Sequence, residues 1–169
     1  NVHKPLGMTS HDVVAKIRRG LKLKKVGHAG TLDPLASGVL IICVGHATRL
    51  SDYVMHMTKR YHADVCLGVT TETYDAEGAV QQVRDPSQVT RDSVVTALKP
   101  FLGDIEQIPP MYSAIKQGGR KLYELARAGE TVEREARHVR IDALTVSEWS
   151  PPYFTLDVTC SAGTYIRSL

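Results

Sequence analysis

No stretch of this 169-residue sequence approaches the length and apolarity of a membrane-spanning helix, so the protein is expected to be soluble. The opening residues, Asn1-Val2-His3-Lys4-Pro5, lack the charged, apolar and small-residue succession of a secretory signal. The first residue is not Met, and further sequence is expected upstream. Cysteine is scarce: Cys43, Cys66 and Cys160 each stand alone in an apolar, strand-like run. An odd number without ligand spacing argues against a disulfide framework and predicts reduced core thiols in a cytoplasmic setting. No His, Cys and carboxylate spacing suggests a metal site, so none is expected. Neither the GxxxxGK(S/T) form of a phosphate-binding loop nor the GxGxxG form of a dinucleotide site occurs, and no cofactor is indicated. Internal repeats and low-complexity tracts are also missing.

What remains is an ordinary globular composition, with 43% hydrophobic and 23% charged residues. The length suits one domain, or one domain with a large insertion. Net charge is +3 and the sequence pI about 8.8, but the basic residues are unevenly spread. Arg18, Arg19, Lys22, Lys24 and Lys25 form one cluster; Lys116, Arg120, Lys121, Arg127, Arg134, Arg137, His138 and Arg140 form another. Two such patches could flank one groove that tracks a phosphate backbone, or could be two solvated helix faces. Charge alone leaves both open.

Ser10 reads as the N-cap of an amphipathic helix over 11–21, with Asp12 in the first turn and Val13, Val14, Ile17 and Leu21 on one face. The glycine-rich segment 27–38 follows, and then an apolar run over 39–44 that suits a strand buried on both faces. A helix is expected over 47–57, a strand over 61–67, a turn at 75–78 into a strand over 79–83, and a helix over 91–98. Residues 109–138 open with Pro109-Pro110, contain Gly118-Gly119 and carry one short helix over 121–128, which reads as a mobile arm. Two paired strands, 139–149 and 154–160, come next. Thr164 is then expected to cap a helix that has only begun at Leu169, so the chain is read as a fragment truncated at both ends.

The segment from Gly27 to Gly38 is where chemistry concentrates. Pro34 biases Asp33 away from helical backbone, and the glycines permit close approach by other main chain. A carboxylate on such a loop, just ahead of core strand, is well placed for a substrate; an Asp-Pro turn of purely structural kind has the same sequence. The stretch Gly30-Thr31-Leu32-Asp33-Pro34-Leu35-Ala36-Ser37-Gly38-Val39-Leu40 resembles the signature around the catalytic aspartate of TruB-type pseudouridine synthases. Further stretches agree in order: His3 to Ser10, Lys59-Arg60-Tyr61 with Leu67-Gly68, Thr71 to Gly78, Ile108 to Lys116, and Ser161 to Leu169.

The resemblance implies isomerisation of a uridine to pseudouridine in the T arm of tRNA, without a cofactor. By this likeness Asp33 is the catalytic carboxylate, acting at ribose C1′, at uracil C6, or in an elimination to a glycal. Arg167 is the active-site arginine that holds Asp33 ionised and oriented, Asp75 steadies that arginine, and Tyr61 stacks on the uracil. Tyr165 packs nearby, His28 fills space vacated by everted nucleotides, and Lys4 supports the pocket from beneath. Flipping the base costs a few kcal/mol, which contacts elsewhere must offset; Lys116, Arg120 and Lys121 on the arm are expected on phosphates.

The fold implied is α+β: the pseudouridine synthase fold, a mixed, largely antiparallel sheet with flanking helices, a cleft across its face and a basic thumb-like insertion at about 109–138. Residues 1–169 would be its catalytic domain, with the family's C-terminal RNA-binding domain absent. The alternatives are a non-catalytic RNA-binding module, an RNA-guided subunit that needs partner proteins, and a metal-dependent hydrolase. Asp33 and Arg167 together argue against the first. The compact insertion is closer to the stand-alone form, so tRNA is the expected partner and the protein a monomer without an obligatory protein partner.

Overall fold

Strand β1 (Val2–Lys4) opens the chain and helix α1 (Ser10–Leu21) follows it. In the computed structural model, which describes residues 1–169, the helix starts one residue earlier than its sequence suggests. Thr9, not Ser10, is the N-cap. Its hydroxyl accepts from the Asp12 amide at 3.1 Å while the Asp12 carboxylate accepts from the Thr9 amide at 2.9 Å, a reciprocal capping box. Ser10 is thereby the first helical residue, and its hydroxyl is turned elsewhere. Lys22, with φ 52°, closes the helix in the left-handed region, and Arg18 and Arg19 sit favourably in the last turn.

Strands β2 (Val26–His28), β3 (Gly38–Leu40) and β4 (Ile42–Val44) complete two small antiparallel ladders, β1 with β3 and β2 with β4. The single strand expected over 39–44 is therefore two, and it is not buried on both faces. Val39 is 69% exposed while its neighbour Leu40 is buried, the period-two pattern of a strand with one face in the core. Between them the Ile41 carbonyl accepts from Ala29 at 2.9 Å. A 3-10 turn, Gly45–Leu50, leads into a short helix α2 (Ser51–Met55), so only part of the helix expected over 47–57 is α-helical. The hydroxyls of Thr48 and Ser51 donate to the carbonyls of Gly45 and Thr48, main-chain acceptors that they bond locally. These elements form one compact unit, Asn1–Met57.

The second unit, Thr58–Leu169, holds β5 (Lys59–Cys66), the ladder of β6 (Val69–Thr71) with β7 (Val80–Val83), and helix α3 (Arg91–Leu98), which is capped by Thr90. A 3-10 turn precedes β8 (Gly103–Gln107). Residues 109–138 contribute a hairpin of two-residue strands, β9 (Lys116–Gln117) with β10 (Arg120–Lys121), and helix α4 (Leu122–Arg127), whose Leu122 and Leu125 are buried. Strands β11 (Arg137–Ser150) and β12 (Tyr153–Cys160) follow. Arg137 and His138, assigned above to the arm, already pair with Gln107 and Glu106 in the sheet.

The four-stranded sheet runs β5-β12-β11-β8, with Val94 of α3 against Ile141, Val146, Phe154, Leu156, Val158 and Cys160 in its core. Every pairing in the chain is antiparallel. The α+β class with a largely antiparallel sheet is thus the one observed. Of the three free thiols, Cys43 and Cys160 are buried as expected, but Cys66 is exposed: strict alternation along β5 turns its last residue outward. Thr164 does not cap the final 3-10 turn, Ile166–Ser168; its hydroxyl donates back to the Ser161 carbonyl at 2.9 Å, and Tyr165 takes the cap position without a side-chain bond.

Candidate functional site

Asp33 lies on the loop between β2 and β3, and the first ten residues fasten the main chain on both sides of it. On the N-terminal side the Ser10 hydroxyl accepts from the Leu32 amide at 2.9 Å and donates to the Leu32 carbonyl at 3.2 Å. On the C-terminal side the Pro34 carbonyl accepts from the Gly7 amide at 2.9 Å and from the Lys4 ammonium at 3.3 Å. The loop also closes on itself, since the Ala36 amide donates to the Asp33 carbonyl at 3.0 Å. Gly7 has a φ of 77°, which favours glycine where its amide meets Pro34.

Lys4 is fully buried, and its ammonium also donates to the carbonyls of Met8 at 2.6 Å and Pro5 at 2.9 Å. Burial pushes the Lys4 pKa down from the ordinary lysine value, and the charge of Asp33 works against that fall. Lys4 and Asp33 are therefore in the same electrostatic neighbourhood. His28, in β2 opposite Ile42, is half-buried, and its Nδ1 is buried without a hydrogen-bond partner.

In the second unit Arg167 sits in the closing 3-10 turn with its guanidinium tied down from three directions. It donates to the carbonyls of Thr73 at 3.1 Å and Tyr112 at 2.9 Å, and lies 3.4 Å from the Asp75 carboxylate. Asp75 is itself fixed by the Thr73 hydroxyl and by the Glu77 amide at 3.0 Å. Both partners of the ion pair are largely sequestered from water, where a guanidinium with several acceptors keeps one orientation. Beside it opens a cavity of about 580 Å³ whose lining includes Tyr74, Gln107, Ile108, Arg134 and Arg167.

Tyr61 stands in β5 opposite Val158, half-buried against the sheet core. Tyr165 is held by its main chain, because the Gln107 carboxamide bonds both its amide and its carbonyl. On the insertion, Lys116 is exposed, whereas Arg120 pairs with Glu130 at 3.0 Å and Lys121 donates to the Tyr123 hydroxyl at 3.2 Å. The hydrogen bond to Tyr123 pushes the Lys121 pKa up. No three His, Cys, Asp or Glu side chains are grouped so as to hold a metal ion.

Sequence reasoning missed Gln107, the anchoring role of Ser10, and the two carbonyls that hold Arg167. The serine was visible, but as a cap; main-chain acceptors carry no residue signature at all. Within each unit the structure brings together residues far apart in sequence, Lys4 with the Asp33 loop and Asp75 with Arg167. The tRNA pseudouridine synthase B of Clostridium perfringens is 52% identical over 170 residues, and that of Symbiobacterium thermophilum 53% identical over 172; each alignment takes in 100% of this chain and 58% of the relative. The chain thus spans a little over half the length of these proteins.

Among solved structures, a chain of a Cbf5-Nop10-Gar1 complex superimposes with a TM-score of 0.72 at 33% identity, covering 99% of this chain and 40% of that one. A chain of an H/ACA RNP bound to a substrate RNA containing 2'-deoxyuridine gives 0.68 at 30%, covering 99% and 39%. The antiparallel sheet and its flanking helices are accordingly those of the pseudouridine synthase fold. The model of the TruB family pseudouridylate synthase N-terminal domain matches residues 18–166, which include both the Asp33 loop and the strands that precede Arg167. Agreement over so much of its length leaves one assignment, and the chain belongs to the TruB family of pseudouridylate synthases.

Proposed function

We propose that this chain is the catalytic part of a tRNA pseudouridine synthase that isomerises a uridine in the T arm, with Asp33 as its catalytic carboxylate. One observation carries the reading: the main chain on either side of Asp33 is bonded to Ser10, Gly7 and Lys4, so a short loop that could otherwise wander is held in register with a helix and a strand. A carboxylate that must meet one carbon atom of a substrate needs that restriction, because misplacement by about 1 Å can cost on the order of a hundredfold in rate.

The overall reaction breaks the N1–C1′ bond of uridine and forms a C5–C1′ bond; the C5 proton leaves to solvent and the freed N1 takes up a proton, so the product is an isomer of the substrate. No electrons are gained or lost, so the reaction needs no redox cofactor. The target base is flipped out of its stack, and Tyr61 offers it an aromatic face while His28 occupies the space vacated. Arg167, oriented by Asp75, supplies positive charge to the reacting centre. Tyr165 packs beside it. The insertion, 109–138, clamps the RNA with Lys116, Arg120 and Lys121 on phosphates. The protein works in the cytoplasm as a monomer with tRNA as its partner, a reading favoured by the greater identity to tRNA pseudouridine synthase B proteins than to the chain from a Cbf5-Nop10-Gar1 complex.

The test uses full-length protein and tRNA transcripts tritiated at uracil C5. Release of about one tritium per tRNA is expected, and it should vanish when the T-loop uridine is replaced by cytidine. Release that persists after that replacement would move the target elsewhere in the RNA; no release from either transcript would sink the enzymatic reading for tRNA.

A further inference from the structure

We infer that Gln107 is a positioning residue for this reaction: its carboxamide clasps the main chain of Tyr165 and thereby fixes the turn that carries Arg167. The inference rests on the function proposed above for Arg167. Gln107 is only 6% exposed, and both halves of its amide are used. Nε2 donates to the Tyr165 carbonyl at 2.9 Å, and Oε1 accepts from the Tyr165 amide at 2.8 Å. The pair of bonds imitates the exchange between two hydrogen-bonded residues of an antiparallel ladder, where no strand is present to make it.

The place of the clasp gives it consequence. Gln107 is the last residue of β8, and its own main chain is paired with Arg137 of β11, so it belongs to the rigid four-stranded sheet. Tyr165 is the cap of the 3-10 turn Ile166–Ser168, and its carbonyl also accepts from the Ser168 amide at 3.1 Å. The same oxygen therefore starts the turn and receives the glutamine. Through it the sheet sets the direction in which the turn leaves, and Arg167 is the second residue of that turn. The guanidinium contacts to Thr73, Tyr112 and Asp75 fix the far end of the side chain; the clasp fixes its root. Gln107 and Arg167 also line the same cavity.

A glutamine that only filled space could be exchanged for an apolar residue of equal size with little consequence for chemistry. A clasp needs an acceptor and a donor at once. Glutamate keeps the acceptor for the Tyr165 amide but, when ionised, turns a second oxygen toward the Tyr165 carbonyl. Protonation restores the donor, and burial raises the pH at which a carboxyl gains its proton.

The experiment compares wild type, Gln107→Ala and Gln107→Glu in the full-length protein, by tritium release between pH 8 and 5.5 and by hydrogen exchange of the 161–169 peptide, below the melting temperature of all three. Gln107→Ala is expected to lower kcat by about tenfold or more with KM for tRNA within about twofold, at a ratio to wild type that does not vary with pH. Gln107→Glu should be impaired at pH 8 and recover relative to wild type as pH falls. The Tyr165 amide should exchange about tenfold faster in Gln107→Ala. Unchanged kcat in Gln107→Ala, or a Gln107→Glu ratio that is flat with pH, would overturn the positioning role. Should wild type release no tritium, the functional reading fails instead, and the exchange measurement still decides the clasp: unaltered protection at Tyr165 in Gln107→Ala would overturn it.

Discussion

The main chain around Asp33 in the first unit and the side chain of Arg167 in the second are both held by several bonds. On either side of Asp33 the main chain is bonded, with Leu32 held by Ser10 and Pro34 held by Gly7 and Lys4, so the loop is braced through main chain. The bonds of Arg167 fall on the guanidinium itself, which two carbonyls and a carboxylate share. A short carboxylate has one methylene between its carboxyl group and the backbone, so holding the backbone already limits where it can reach. A long arginine side chain has several rotatable bonds, and its charged end must be gripped directly at a cost in rotamer entropy. The comparison predicts that substitutions near Asp33 act through loop geometry, whereas those at Arg167 act through the chemistry of the head group.

The sharpest way to break that contrast is Arg167→Lys in full-length protein. Lysine keeps the charge but has no planar fork with which to reach two carbonyls and the Asp75 carboxylate, so kcat for tritium release should fall on the order of a hundredfold. Activity within threefold of wild type would mean that charge alone suffices and that the grip described here is incidental.

Ser10→Ala tests the other half. Removing the hydroxyl leaves the Leu32 amide and carbonyl without their partner, which should cost about 1–2 kcal/mol in chemical denaturation and lower kcat by about tenfold with little change in tRNA affinity. Loss of stability with kcat intact would show that the Asp33 loop keeps its geometry without this anchor.

On the insertion, Lys116→Ala should weaken tRNA binding by a few-fold and reduce the slope of log affinity against log salt by about one. Arg120→Ala should do less, because Glu130 already pairs with that guanidinium at 3.0 Å and offsets its charge. Equal effects of the two would argue that the Arg120–Glu130 pair opens on the RNA.

The smallest expected effect lies away from the site, in the pair of His62 on β5 and Asp157 on β12, 2.6 Å apart across the sheet. The hydrogen bond to Asp157 raises the His62 pKa above the ordinary 6.5, and that to His62 lowers the Asp157 pKa below 3.8. The histidine's contribution is thus complete below pH 6.5 and lost as pH rises through its raised folded value. The aspartate's contribution is complete above pH 3.8 and lost as pH falls through its lowered folded value. His62→Ala should therefore lower the melting temperature slightly more at pH 5.5 than at pH 9, and about 1 M salt should shrink the difference because both groups are well exposed. A pH-independent effect would leave strand packing, not charge, as the cause.

Much of this arrangement was legible before the structure. The helix over 91–98 and the long hairpin of β11 and β12 follow from apolar runs bounded by turn residues, and the glycines with the Asp33-Pro34 step marked the Asp33 loop, whose chemical role only the family resemblance supplied. Elsewhere local signals competed. Ser10 and Thr9 are both good caps; the reciprocal bonds of Thr9 with Asp12 select Thr9, and the Ser10 hydroxyl is bonded to Leu32 instead. The apolar run 39–44 has no polar residue to mark where one strand ends, and the break at Ile41 comes from pairing with two different partners. Gln107 could not be found from sequence, because a buried amide is recognised only by the main chain it meets, and Tyr165 is 58 residues away.

The most direct test is tritium release from C5-labelled tRNA by full-length wild type, Asp33→Asn and Asp33→Glu, with filter binding in parallel. Asparagine preserves the size and the loop while removing the carboxylate, and activity should drop on the order of 10⁴-fold with binding retained. Glutamate keeps the charge but extends it by one methylene, and should be impaired nearly as much if the braced loop sets a fixed reach. Tritium release by Asp33→Asn at a rate near that of wild type would contradict the account, because the residue that the whole opening segment holds in place would then have no part in the chemistry.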